Sequence, residues 1–313
     1  MDENQNPEMN DYSFQAESWA ERNGFAHWAI ALIWLVCALI LFQAVAGILL
    51  VIFLSVTGEL TSGENLQDLL TESANLLFIA NSIGQVLFLG LATFFIVKLH
   101  ISRERTRSFL RINWDSKTPV YIGLGMLLVL SVQPIVIYLG YLNSLLPVPE
   151  LFSDLQISQY QMIESFLKTE GIFLFAIVNI ALIPALCEEV LFRGYVMRAF
   201  EKSWGIIASI IISGIIFGMF HIQLGNLLPL AALGIILALM TWLSNSIWPA
   251  VVAHFINNGM AVLIGITYPD LLFREMSTEI LPPIWLLVVS IIFTALLIRF
   301  MLNKSIVHKK EYS

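Results

Sequence analysis

Between positions 188 and 258 of this 313-residue chain, titratable and amide side chains interrupt apolar runs that otherwise exclude them. Glu188 and Glu189 are followed by Arg193, Phe217 by His221, and His254 by Asn258. Charge inside a membrane span costs about 2.5–3.5 kcal/mol even on the lenient insertion scale, so its presence points to function. Helical spacing sorts the residues. Glu189 and Arg193 are four apart, share a helix face and can pair, with the acid N-terminal in the better orientation. Glu188 is turned about 100° from its neighbour and has no cation on its own face. His254 and Asn258, again four apart, bring two polar heads to one point, whereas Asn257 points off that face. Phe217 and His221 share a face, with the ring beside the imidazole.

The chemistry these types support is hydrolysis. A partly desolvated carboxylate and an imidazole can take a proton from water, and an Asn amide can donate to a developing oxyanion. A zinc site built from Glu188, His221 and His254 is the alternative, since two His and one Glu form an acceptable set. No HExxH spacing is present, the three residues come from separate helices, and Asn is a poor zinc ligand, so water activation without metal is expected. Bland roles weigh against each group alone. A single intramembrane His is more often a packing residue, and a Glu–Arg pair at this spacing is usually a structural bridge, a role kept open for Glu189–Arg193. Three such pairs within 71 residues argue for a site.

The elements that must position these residues are membrane helices. The chain is 58% hydrophobic and 12% charged, against about 45–50% and about 25% for an ordinary soluble domain, and its mean hydropathy is +0.81. That balance excludes a cytosolic enzyme, a nucleic-acid binder and a disordered regulator. The net charge of −7 resides mostly in polar tails and loops. Cys37 and Cys187 both fall in apolar runs, so neither a disulfide framework nor a thiolate zinc site is expected. Eight apolar runs, at 27–56, 74–97, 118–145, 171–190, 205–222, 227–243, 248–268 and 284–302, predict an all-α, polytopic membrane helical bundle of about eight transmembrane helices. The polar stretch Met1–Asn23 is too long and too acidic to begin a cleaved signal peptide, so the first helix is expected to stay.

Positive charge gives the orientation. Arg22 precedes the first run; Lys98, Arg103, Arg105, Arg107, Arg111 and Lys117 follow the second. Arg193, Arg198 and Lys202 join the fourth and fifth, and Arg299, Lys304, Lys309 and Lys310 close the chain, leaving only Lys168 and Arg274 for the other side. Both termini are therefore expected in the cytoplasm. The acidic loop 57–73, with Glu59, Glu64, Asp68 and Glu72, falls opposite. Segment 98–117 reads as a loop on anionic lipid headgroups. Residues 150–168 set Phe152, Leu155, Met162, Ile163 and Phe166 at the spacing of an interfacial amphipathic helix. The chain divides into a polar tail (1–25), an N-terminal transmembrane region (26–170), a catalytic core (171–268) and a last span with a basic tail (269–313).

Depth tests whether the helices can meet. With a turn near Ser203–Gly205, Glu188 lies 16 residues before Trp204 and His221 17 after it, about 24 and about 26 Å away and so level in a hairpin. The fourth helix must then run past 190. His254 comes only six residues after Trp248; matching its depth needs a short or tilted sixth helix, which the helix breaker Pro229 permits.

Glu188-Glu189-Val190-Leu191-Phe192-Arg193 reads EExxxR, Phe217 through His221 reads FxxxH, and His254 through Asn258 reads HxxxN. In this order on consecutive apolar helices, over about 180–260, they resemble the CPBP family of intramembrane proteases, which includes the Ras-converting CAAX endopeptidases and the bacterial abortive-infection (Abi) proteins. The resemblance implies an eight-helix membrane endopeptidase (EC 3.4) with its site inside the bilayer. It implies that Glu188 and His221 position and deprotonate the attacking water, that His254 and Asn258 form the oxyanion hole, and that Glu189, Arg193 and Phe217 support them. The implied partners are a protein or peptide substrate at the membrane and the lipid bilayer, with no nucleic acid, and the expected location is a bacterial cytoplasmic membrane. Residues 1–150 and the last helix carry no assignable motif. A transporter or proton relay is one alternative; a non-catalytic adaptor that binds another membrane protein is the other.

Overall fold

The computed structural model describes residues 19–59, 66–101, 106–273 and 281–305. The stretch through residue 18, with Glu64, Arg103, Arg105, Arg274, Lys309 and Lys310, lies outside the described residues. Among those described, all regular structure is helical. The first run is α1 (His27–Thr57), which buries Ala31, Leu35, Ala38, Phe42, Ala46, Leu50 and Leu54 at steps of three or four residues. Ile33, Ile40 and Ile48 on its other faces stay more than half exposed. Both faces of a lipid-bathed helix are apolar, so close approach rather than hydropathy selects the packed stripe. On α2 (Ala74–His100), a Cβ at Gly84 would sit 2.7 Å from the Phe42 carbonyl oxygen.

The third run is not one helix. α3 (Thr118–Ser131) and α4 (Gln133–Ser144) meet at Val132 with a 42° bend. Pro134 has no N–H to continue the ladder and its ring crowds the preceding turn. Side chains at the bend bond to neighbouring carbonyls: Ser131 Oγ donates to Leu128 O and Gln133 Nε2 to Val129 O, each at 2.8 Å. Next comes α5 (Glu150–Leu167), the expected amphipathic helix, which buries Phe166 and Leu167. Leu155, expected on that face, points outward instead.

The fourth run does continue past 190, as the 32-residue α6 (Phe173–Trp204). It contains two π-helical segments, Ile177–Leu182 and Val190–Val196, on either side of the tandem acids. The fifth, α7 (Ile206–Phe220), has 15 residues and spans only about 22 Å, against about 30 Å of hydrocarbon. α8 (Leu227–Ser244), α9 (Trp248–Thr267) and α10 (Ile284–Lys304) follow. Each of the eight runs thus forms helix, but among the described residues six helices are long and apolar enough to cross a membrane, or seven with α3–α4 as one span. The chain is a multi-pass membrane protein; α7 falls short of a full crossing.

One end of the bundle gathers the loops rich in Lys and Arg. Trp28 stacks on Trp204 at 5.5 Å, and its backbone N–H donates to Ser203 Oγ. Arg111 donates to Asn245 Oδ1 (3.0 Å) and to Glu201, and its carbonyl accepts from Ile247 N–H (2.9 Å). Trp248 Nε1 donates to Ile112 O, and Ser305 Oγ at the end of α10 to Leu243 O. Arg111 is therefore not a headgroup ligand: at 3% exposure it pins α6 to the α8–α9 turn. Burial, with Arg198 nearby, lowers its pKa to about 10, which still leaves a cation at neutrality.

Candidate active site

Small residues bring the site's helices together. Gly214 and Gly218 stand four apart on α7. A Cβ at Gly214 would lie 2.6 Å from the Ile235 backbone nitrogen, one at Gly218 2.9 Å from that of Ala231, and one at Gly234 2.6 Å from Gly214 O. This is the small-xxx-small contact by which membrane helices approach closely. The α6–α7 hairpin registers through Phe192, whose ring meets both Phe217 and Phe220 at 5.2 Å.

Glu189 is the hub. Fully buried, its Oε1 accepts from Arg193 Nη1 and from His254 Nδ1, each at 2.9 Å. Arg193, 1% exposed, donates through Nη2 to Gly234 O (3.0 Å) and lies over the Phe217 ring at 4.4 Å. His254 Nε2 stands 3.2 Å from Asn258 Nδ2, which also donates to Ile180 O. The expected pairs at four-residue spacing are thus in place. They are also joined to each other, which spacing along single helices cannot reveal. The depth of His254 has a cause other than Pro229. That residue sits in the first turn of an unbroken α8, and α6 projects beyond the α8–α9 turn, because Arg111 ties Glu201 rather than Trp204 to Asn245.

Phe217 separates the two imidazoles, 4.9 Å from His221 and 5.7 Å from His254 between ring centres. His221 Nδ1 lies 2.9 Å from Phe217 O. A carbonyl only accepts, so Nδ1 carries the proton and Nε2 keeps its lone pair for another donor. Val129, Phe217, His221, Leu233, His254, Asn257 and Asn258 line a cavity with about 30 Å³ of room for water, where about 10–15 Å³ holds one molecule. Glu188 does not line it. That carboxylate is 8% exposed, and its Oε2 is buried without a hydrogen-bond partner.

Two polar residues were not foreseen. Asn257, expected to point away, lines the cavity and donates to Asn258 Oδ1 (3.2 Å). Gln133, at the bend between α3 and α4, donates to Asn257 Oδ1 (3.2 Å). Gln133-Pro134 was the available signal: a polar residue at a helix breaker inside an apolar run. Among the described residues, no three His, Cys, Asp or Glu stand together as a metal-binding group, and both nitrogens of His254 already face protein partners. The zinc set Glu188, His221 and His254 does not fit this geometry.

Residues 170–260 match the family model described as Rce1-like, type II CAAX prenyl endopeptidase. No curated protein and no solved structure matches the chain. The matched stretch runs from α6 through most of α9 and includes every residue of the Glu189 network. A family model and three ordered motifs agree on the same stretch: residues 170–260 of this multi-pass membrane protein are similar to the Rce1-like type II CAAX prenyl endopeptidases, consistent with a protease of the CPBP type.

Proposed function

We propose that the protein is an intramembrane endopeptidase that hydrolyses a peptide bond with water activated by Glu188 and His221. Glu188 takes a proton from the water, and His221 Nε2 orients it. The water oxygen bonds to the scissile carbonyl carbon, and the π electrons move onto the carbonyl oxygen. His254 Nε2 and Asn258 Nδ2 are 3.2 Å apart, so one oxyanion can accept from both. With Nδ1 turned to the Glu189 carboxylate, His254 presents Nε2 to the oxyanion beside Asn258. When the C–N bond breaks, the proton on Glu188 passes to the leaving nitrogen, giving a carboxylic acid and an amine.

One observation carries this assignment: each of the two adjacent buried acids has an Oε2 without a partner, but Glu189 is committed through Oε1 to Arg193 and His254, whereas among the described residues no side chain bonds Glu188. An orphaned carboxylate oxygen at low dielectric costs about 1–3 kcal/mol or more, a cost that a bound water or proton relieves. The test is cleavage of a membrane-tethered peptide by protein purified in detergent. Glu188→Gln and His221→Ala are expected to abolish turnover, and a strong chelator is expected to leave it unchanged. Full activity in both variants excludes the mechanism.

A further inference from the structure

The short α7 has a consequence at its far end. The segment 221–226, an irregular turn followed by one 3-10 turn at Leu224–Asn226, lies about 22 Å from the basic end, hence at membrane depth, where non-α-helical backbone is tolerated only when protein satisfies it. It begins with strain: Ile222, directly after His221, has φ +56°, a conformation that costs a β-branched residue about 1–3 kcal/mol. The turn is held from two sides. Asn143, 1% exposed at the end of α4, donates to Leu224 O (2.9 Å) and accepts from Leu228 N–H (2.7 Å). On α5, Gln156 Oε1 accepts from Gly225 N–H (3.1 Å), Gln159 Oε1 from Gln223 Nε2 (3.0 Å), and Tyr160 Oη from Asn226 Nδ2. The approach at Gly225 is close: a Cβ there would lie 2.5 Å from Gln156 Oε1, so a side chain would displace the glutamine head that holds the turn.

We propose that Asn143 and the Gln156–Gln159–Tyr160 face of α5 are positioning residues for His221, holding the strained Ile222 turn so that the imidazole stays registered across Phe217 from His254. The proposal rests on the hydrolytic role given to His221 above. It assigns work to α4 and α5, which lie outside the matched domain, and explains why an otherwise interfacial helix carries polar residues on its inner face.

The experiment compares Asn143→Ala and Tyr160→Phe, each alone and combined with Ile222→Gly, in full-length protein. Misplacement of a catalytic group by about 1 Å can cost 100-fold, so kcat is expected to fall about tenfold or more in the single variants with KM changed less than twofold. Glycine adopts positive φ freely, so Ile222→Gly is expected to recover most of that loss, a rescue that a general packing role does not produce. Amide hydrogen exchange supplies a second readout, with residues 221–226 exchanging faster in both single variants, also on a Glu188→Gln background. Unchanged kcat, a loss that Ile222→Gly does not recover, or unchanged exchange overturns the proposal. Wild-type cleavage that persists in His221→Ala overturns the hydrolytic assignment instead, and exchange still decides whether the clamp holds the turn.

Discussion

Glu188 and Glu189 share a peptide bond but not an environment. Glu189 balances Arg193 and His254 in the protein interior, and removing one member of a buried ion pair costs about 3–5 kcal/mol because it strands the other charge. Glu189→Ala is therefore expected to lower the unfolding temperature in detergent sharply. Glu188→Gln, which keeps shape and surrenders no bond at Oε2, is expected to leave it within a degree or two (about 0.5 kcal/mol). Equal loss of thermal stability in the two variants would make Glu188 a structural acid and remove it from the mechanism. The pairing of Glu189 with Arg193 was legible because both lie on one helix at a fixed spacing. His254 as its second partner was not, since it arrives from α9 through tertiary packing. Asn257 was misread for a related reason: its neighbour across the cavity, Gln133, belongs to a helix whose bend redirects it.

At the scale of elements, hydropathy located the long apolar helices, but it measures composition and is blind to rise, bend and close contact. The π-helical segments that flank the tandem acids break 3.6-residue arithmetic where the site needs it, as such segments often do at functional positions. The α7–α8 contact rests on glycines that no polar motif marks. Gly234→Ala places a Cβ 2.6 Å from Gly214 O, so the helices must separate and the Gly234 carbonyl must leave Arg193. The expected cost is about 1–3 kcal/mol of stability and at least a tenfold loss of cleavage (about 1.4 kcal/mol in the barrier), with unchanged helical circular dichroism. Gly47→Ala in α1, where an added Cβ meets nothing within 4 Å, is the control and is expected to be neutral. Wild-type cleavage in Gly234→Ala would mean that the close contact does not set the site.

For the whole molecule, sequence and packing agree on which segments share an end, by independent routes. The Lys/Arg distribution places the start of α1, the loop before α3, the α6–α7 turn and the end of α10 on one side. The contacts among Trp28, Ser203, Trp204, Arg111, Asn245, Trp248 and Ser305 bring the same segments together. Exposed aromatics mark both ends, Trp114 at this one and Tyr268 and Trp285 at the other, as in the belts at membrane interfaces. The basic end is then expected to face the cytoplasm and the His221 turn the opposite leaflet. Cysteine labelling decides it. With Cys37 and Cys187 replaced, Leu146→Cys and Tyr268→Cys, both exposed at the far end, are expected to react with an impermeant maleimide on intact cells. Lys117→Cys is expected to react only after permeabilisation. The reverse pattern would invert the protein and put the strained turn, with its α4 and α5 clamp, on the cytoplasmic side. Labelling of all three sites on intact cells would mean that charge does not set the topology of this bundle.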